Sequence, residues 1–203
     1  MSDHEFIKTY IKDFSNLLIP NDILINELIE IRDVMLKAKN NNKKIIIFGN
    51  GGSAAIASHV SVDMTKNAKL RCLNFNEAGL ITCFSNDYGF EHWIQKAVDF
   101  YGDEGDVLIL ISSSGKSENM INAVKAARSR SFSSVITLTG FDKNNPLTKL
   151  GNINLWVDSN AYNFVENIHQ IWLLTIVDLL IGKREYSASV SYTHLTLPTI
   201  YSV

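Results

Sequence analysis

The chain has 203 residues, of which 46% are hydrophobic, 20% charged and 10% aromatic. Its 19 basic and 21 acidic residues leave a formal net charge of −2. This composition excludes collagen-like, disordered and disulfide-scaffold classes, and its overall balance gives no strong charge footprint for a nucleic-acid partner, a local patch aside. It suits one α/β core with an appendage.

Two cysteines, Cys72 and Cys83, form neither a CxxC site nor a disulfide framework, so a reduced, cytoplasmic location is expected. The N-terminus, Met1-Ser2-Asp3-His4-Glu5, carries acids where a signal peptide carries basic residues. Phe6, Ile7, Tyr10, Ile11, Phe14, Leu17 and Leu18 recur at helical spacing and predict an amphipathic first helix. Pro20 breaks it. Asn21-Asp22 can cap a second helix with apolar positions at Ile23, Leu24, Leu28, Ile31, Val34, Met35 and Leu36. These helices carry more apolar surface than one sheet edge covers, so residues 1–42 read as an arm that packs on another copy of the chain.

From Lys43 the pattern changes to short buried strands alternating with helices. Strands are expected at 43–48, 70–75, 106–111, 134–138 and 153–157. Helices are expected at 54–66, 118–130 and 164–181, with a short helical or irregular passage at 79–88. The fold class is therefore α/β, a parallel sheet covered on both faces, with a helical N-terminal arm. The most apolar stretch, Ile171–Ile181, is interrupted by Thr175 and Asp178 and is shorter than the roughly 20 residues of a membrane span. It reads as a buried helix, and no membrane partner is expected. Residues 190–203, VSYTHLTLPTIYSV, contain no Asp, Glu, Lys or Arg and resemble the translation of a sequencing-library adapter. They are read as a non-native tail, leaving 43–189 as the α/β domain.

Two segments share one design, an apolar strand, a small-residue loop and a helix start: KIIIFGNGGSAAIASHV and DVLILISSSGKSENMINAV. Loops at the carboxyl ends of parallel strands are where open α/β sheets place ligands, and free N–H groups at a helix start suit a phosphate. Gly115-Lys116-Ser117 is not a P-loop, because Leu110 stands where that motif requires glycine. Gly49-x-Gly51-x-x-Ala54 fits a relaxed dinucleotide fingerprint, with Glu77 as the nearest acidic ribose ligand. That alternative leaves the serine-rich loop without a use, so no nucleotide cofactor is expected.

The ordered motifs GNGGSAAIASH, SNDYG, EGDVLILISSSGKS and SVITLTG resemble the sugar isomerase (SIS) domain of phosphoheptose isomerases, as does the pair of N-terminal helices. The resemblance runs from Lys43 to Leu180. It implies a flavodoxin-like three-layer sandwich, a phosphorylated sugar as ligand and a homotetramer with its site between subunits. It places Ser112, Ser113, Ser114 and Ser117 around the phosphate. Asn50, Gly51, Gly52, Ser53, Asn86 and Asp87 would line the sugar.

His59 and Asp63, spaced i,i+4, share one helix face. The family has His and Glu there, the carboxylate acting as base and zinc ligand. On the last helix the family's Gln, and a His eight residues later, match Glu166 and Leu174; Leu174 can neither ligate a metal nor move a proton. His169, one turn after Glu166, is the candidate substitute acid. His59, Asp63 and Glu166 form a candidate three-ligand divalent site, since N and O donors suit Zn²⁺ or Mn²⁺. The expected activity is interconversion of sedoheptulose 7-phosphate and D-glycero-D-manno-heptose 7-phosphate by enediol proton transfer. Asp63 is then the base, His59 or His169 polarises or shuttles, and Glu166 joins the sugar contacts. The rival from another class is a non-catalytic or regulatory sugar-phosphate-binding protein, including the type that associates with a replication initiator; the change at Leu174 raises it.

Overall fold

The structure, a computed structural model, describes residues 1–184. The expected non-native tail at 190–203 and residues 185–189 of the expected α/β domain lie outside the described residues.

Two helices come first, α1 (Asp3–Leu17) and α2 (Asp22–Asn40). The capping residues are local. Ser2 and Glu5 make a reciprocal capping box on α1, and the Asn21 side chain accepts from the Leu24 amide at 2.9 Å on α2. There follow β1 (Ile45–Gly49), α3 (Gly52–Lys66), β2 (Cys72–Asn74), α4 (Ala78–Tyr88) and α5 (Trp93–Tyr101). The chain continues through β3 (Val107–Ser112), α6 (Glu118–Ser129), β4 (Ser134–Thr139), β5 (Ile153–Trp156) and α7 (Tyr162–Ile181). Helix α5 lies in a stretch where the sequence reading placed no element. Its Trp93, Ile94, Ala97 and Val98 are nonetheless buried at helical spacing.

The sheet runs β2-β1-β3-β4-β5, and every pairing is parallel. Alternate residues of the central strands feed opposite cores. Ile45, Ile47, Val107, Ile109 and Ile111 pack with buried residues of α2, α3 and α7, whereas Ile46, Phe48, Leu108 and Leu110 pack with α5 and α6. Three layers result. Because the chain leaves β1 outward to β2 and then returns to β3, the loops after β1 and β3 diverge at a topological switch point.

Helix α7 is long and apolar enough to cross a bilayer by length and composition, the one such helix among the described residues. Its Val165, Ile168, His169, Trp172, Leu173, Ile176 and Val177 are buried at helical spacing, and all but His169 belong to the core beneath the sheet. It is a core helix. Helix α1 buries no residue, and its Phe6, Ile7 and Ile11 stay more than half exposed. It leans on the start of α7 through Tyr10 and Phe14, whose rings lie 4.6 and 5.5 Å from Phe164.

At the opposite end of the sheet from the ligand loops, Lys44 is 5% exposed and Asp106 1% exposed. The Lys44 ammonium sits 2.6 Å from one Asp106 oxygen and also reaches Asp103. Asp106 accepts in addition from the Lys44 amide at 2.9 Å and the Asp103 amide at 2.8 Å. One carboxylate therefore ties the entry of β1 to the entry of β3.

Candidate active site

The loop after β3 holds its serines in tight quarters. Ser112 and Ser113 are each 6% exposed, while Ser114 and Ser117 are half-buried. Gly115 has φ +62°, and a Cβ there would overlap the Asn145 side chain, so the turn requires glycine. Ser114 Oγ accepts from the Lys116 amide at 3.3 Å. Ser117 is the N-cap of α6, but its hydroxyl makes no capping bond. The buried Ser113 hydroxyl has no hydrogen-bond partner among the described residues. An orphaned buried hydroxyl costs about 1–3 kcal/mol, and natural proteins keep one chiefly where something else satisfies it. Here it lies in a loop that opens onto a helix start, with its favourable field for an anion.

That geometry separates stability from binding. Ser113→Ala should leave the unfolding midpoint in urea unchanged or raised, because no intramolecular bond is lost. Ser113→Ala with Ser117→Ala should weaken phosphate-ester binding in calorimetry by at least tenfold, each charge-assisted bond being worth about 1.5–3 kcal/mol. Unchanged affinity in the double variant would reduce the loop to a turn.

The loop after β1 is built by close approach. A Cβ on Gly49 would overlap the backbone of Ser53, and one on Gly52 would overlap the Glu166 carboxylate of α7. Gly51 has φ +55° and opens outward. Asn76, absent from the sequence reading, pins the end of β1 by donating to the Gly49 carbonyl at 2.8 Å. Ser53, expected among the sugar contacts, is 3% exposed, with its backbone packed against Gly49.

An open cavity of about 290 Å³ lies where α3 meets α7, lined by Gly52, Ala55, Ile56, His59, Glu166, Asn167 and Gln170. His59 and Glu166, far apart in the chain, thus share one site. Desolvation there raises the Glu166 carboxyl above its ordinary pKa. His59 Nε2 is 3.3 Å from Asp63 Oδ2, and its Nδ1 is 3.2 Å from the Gln170 amide nitrogen. Asn67 donates to the other Asp63 oxygen at 3.2 Å. Gln170 went unnoticed in the sequence, where one more polar residue on an apolar helix gives no signal. Gln170 thus braces the imidazole on one side while Asp63 flanks it on the other.

Several expected placements change. His169 is fully buried, and its Nε2 lies 3.0 Å from the Thr139 carbonyl. It faces the sheet rather than the cavity, so it is no substitute acid. Burial pushes its pKa down to about 4, against a partial upward pull from the Thr139 bond. Leu174 packs against the core. Asn86 and Asp87 sit exposed at the end of α4, where their polar contacts are with one another at 2.9 Å and with Cys83. The chain by itself does not bring them to His59 or to the serine loop. Glu77 spends both carboxylate oxygens capping α4 through the Gly79 and Leu80 amides, so the dinucleotide alternative loses its ribose ligand. The expected metal triad also fails. Among the described residues no three His, Cys, Asp or Glu side chains gather into a metal-holding group. His59 and Asp63 pair at 3.3 Å and offer two donors, short of the three or four that Zn²⁺ takes from protein.

Neutral, buried His169 has a pH signature. Its folded pKa lies below the ordinary 6.5, so the unfolded chain binds more protons between pH 6.5 and about 4. Stability should therefore fall as pH drops through that window, by roughly 3 kcal/mol from this residue. Urea unfolding at pH 7 and pH 4.5 should show a smaller loss for His169→Gln than for the wild type. Equal slopes would mean His169 is solvated.

Residues 9–140 match the model of the SIS domain, well over half of the chain. The chain belongs to the SIS domain family. Within the family it is 41% identical over 126 residues to a phosphoheptose isomerase of Neisseria gonorrhoeae, an alignment covering 59% of this chain and 64% of that protein. It thus spans 64% of the length of this relative. A Coxiella burnetii phosphoheptose isomerase is 29% identical over 170 residues, covering 80% of this chain and 85% of its own length. Among solved structures, the phosphoheptose isomerase of Neisseria gonorrhoeae superposes with a TM-score of 0.82 at 31% identity, covering 89% of this chain and all of that one. That of Francisella tularensis gives 0.81 at 27% identity, covering 90% and 100%. Both share the three-layer α/β fold of this chain.

Proposed function

We propose that the protein is a sugar-phosphate isomerase interconverting sedoheptulose 7-phosphate and D-glycero-D-manno-heptose 7-phosphate. The observation that carries this reading is the pairing of two sites on neighbouring loops. One is a serine loop with an orphaned buried hydroxyl at the start of α6; the other is a histidine–carboxylate pair on the helix that follows β1. The phosphoheptose isomerase relatives supply the substrate class. The serine loop would hold the phosphate at one end, placing the reacting carbons at α3.

Asp63 is the proposed base. It takes a proton from C1 of the ketose, the electron pair of that C–H bond forms the C1–C2 double bond, and the carbonyl oxygen at C2 takes up negative charge and then a proton. Return of a proton to C2 and loss of one from O1 yields the aldose. His59, flanked by Gln170 and Asp63, keeps Asp63 oriented and can exchange a proton with the substrate oxygens. Glu166, with its raised pKa, together with Gly51, Gly52 and Gln170, is proposed to contact the sugar hydroxyls. A zinc or other divalent ion would add polarisation of the carbonyl if further donors joined His59 and Asp63.

The same reading includes a homo-oligomer in the cytoplasm, with the exposed Phe6, Ile7 and Ile11 face of α1 covered by another copy. Light scattering at micromolar concentration should give a dimer or tetramer, and a monomer would remove that part. The activity itself is tested by incubating purified protein with sedoheptulose 7-phosphate and resolving the products by chromatography. Formation of the aldoheptose phosphate is expected. Recovery of ketose alone, with divalent metals supplied, would leave a non-catalytic binder.

A further inference from the structure

The two ligand loops are joined by a feature that neither motif announces. Asn50, the first residue after β1, donates from Nδ2 to Asn119 Oδ1 at 3.1 Å, and Asn119 donates from Nδ2 to Asn50 Oδ1 at 3.0 Å. The two carboxamides form a closed, reciprocal pair. Asn119 Oδ1 also accepts from the Met120 amide at 3.0 Å. Asn119 is 2% exposed, two residues beyond the α6 N-cap. Each amide is therefore fixed in orientation: turning either one over would set oxygen against oxygen and N–H against N–H. Asn50 was expected to touch the sugar, but this pairing commits one of its donors and one of its acceptors to protein.

We propose that Asn119 is a positioning residue, clasping Asn50 so that the sugar-binding loop after β1 is held at a fixed separation from the phosphate-binding serine loop. The clasp acts as a ruler for the ligand. It rests on the reading of the site as a sugar-phosphate site. A phosphate ion touches the serine loop alone, while a ketose phosphate must engage both loops at once. A Cβ on Gly51, at φ +55°, would meet nothing within 4 Å, so this residue is open on its outer side, while Asn76 and Glu166 hold the loop at Gly49 and Gly52. Loss of the pair then costs the ligand the ordering of a loop on binding, a cost that inorganic phosphate does not bear.

The test compares two probes, inorganic phosphate and sedoheptulose 7-phosphate, by calorimetry on the full chain. In Asn119→Ala and, separately, Asn50→Ala, the ketose phosphate should bind at least tenfold more weakly, while inorganic phosphate should stay within about twofold of wild type. Asn50→Ala leaves the Asn119–Met120 bond of α6 in place, so it reports on the clasp even if Asn119→Ala folds poorly. The double variant should be no weaker than the worse single one, because both substitutions break the same pair. Equal weakening of both probes, or additive losses in the double variant, would show that the amides only support α6 and would overturn the proposal. Wild-type protein that binds inorganic phosphate but not the ketose phosphate would overturn the sugar-phosphate reading and the clasp with it. Tight binding of both probes with no effect of either variant would overturn the clasp alone.

Discussion

Asp63→Asn should lower turnover by roughly 10² to 10⁴ while leaving the affinity for the sugar phosphate within a few-fold, the span expected when a general base is lost. In barrier terms this is about 2.7 to 5.5 kcal/mol. The substitution keeps the size of the side chain, so its packing beside His59 and Asn67 survives, and only the proton acceptor disappears. Binding should survive because the phosphate loop follows β3, on a different strand and helix. Steady-state rates with calorimetric affinities decide the matter. A variant that turns over normally would show that another group takes the proton, and Glu166 would be next to test, since it lines the cavity together with His59 and has a raised pKa. A variant that loses binding and turnover together would make Asp63 a ligand-holding residue instead.

The largest stability effect should come from the other end of the sheet. Asp106→Ala leaves the Lys44 ammonium, 7% exposed at its side chain, without its buried counter-charge, and it strips the Lys44 and Asp103 amides of their acceptor. Breaking one side of a buried pair typically costs about 3–5 kcal/mol. For a domain of this size that is a fall in Tm on the order of 10 °C. Lys44→Met should cost less than half as much, because the Asp106 carboxylate keeps two backbone donors and the methionine fills the same space. Calorimetric melting of the two variants measures the asymmetry. Equal, small losses would mean that Asp103, which is 72% exposed, carries the pairing in solvent.

Much of the fold was legible because it follows from local periodicity. KKIIIF and DVLILI are β-branched runs too short for helices, and the structure places β1 and β3 there within a residue or two. Helix α5 was missed although Trp93, Ile94, Ala97 and Val98 stand at helical spacing, because its nine residues are shorter than the window over which that periodicity is read. The site was legible where glycine and serine mark strand–helix loops and where His59 and Asp63 sit one turn apart. It was not legible where partners come from distant chain segments. Gln170 meets His59 across 111 residues, and Asn119 meets Asn50 across 69. His169 and Gln170 are neighbours in sequence, yet the roughly 100° turn per residue of a helix sends one into the core and the other to the cavity. The same rotation explains why a histidine one turn after Glu166 looked useful and is not.

The most direct test of enediol chemistry at Asp63 is proton exchange in deuterated buffer. Sedoheptulose 7-phosphate incubated with the wild-type protein, with divalent metals supplied, should gain deuterium at C1 and give aldoheptose phosphate labelled at C2, both seen by NMR. The Asp63→Asn protein should show the same exchange slowed by at least a hundredfold, at concentrations that saturate binding. Saturated wild-type protein that leaves every C1 proton of the ketose unexchanged would contradict the account.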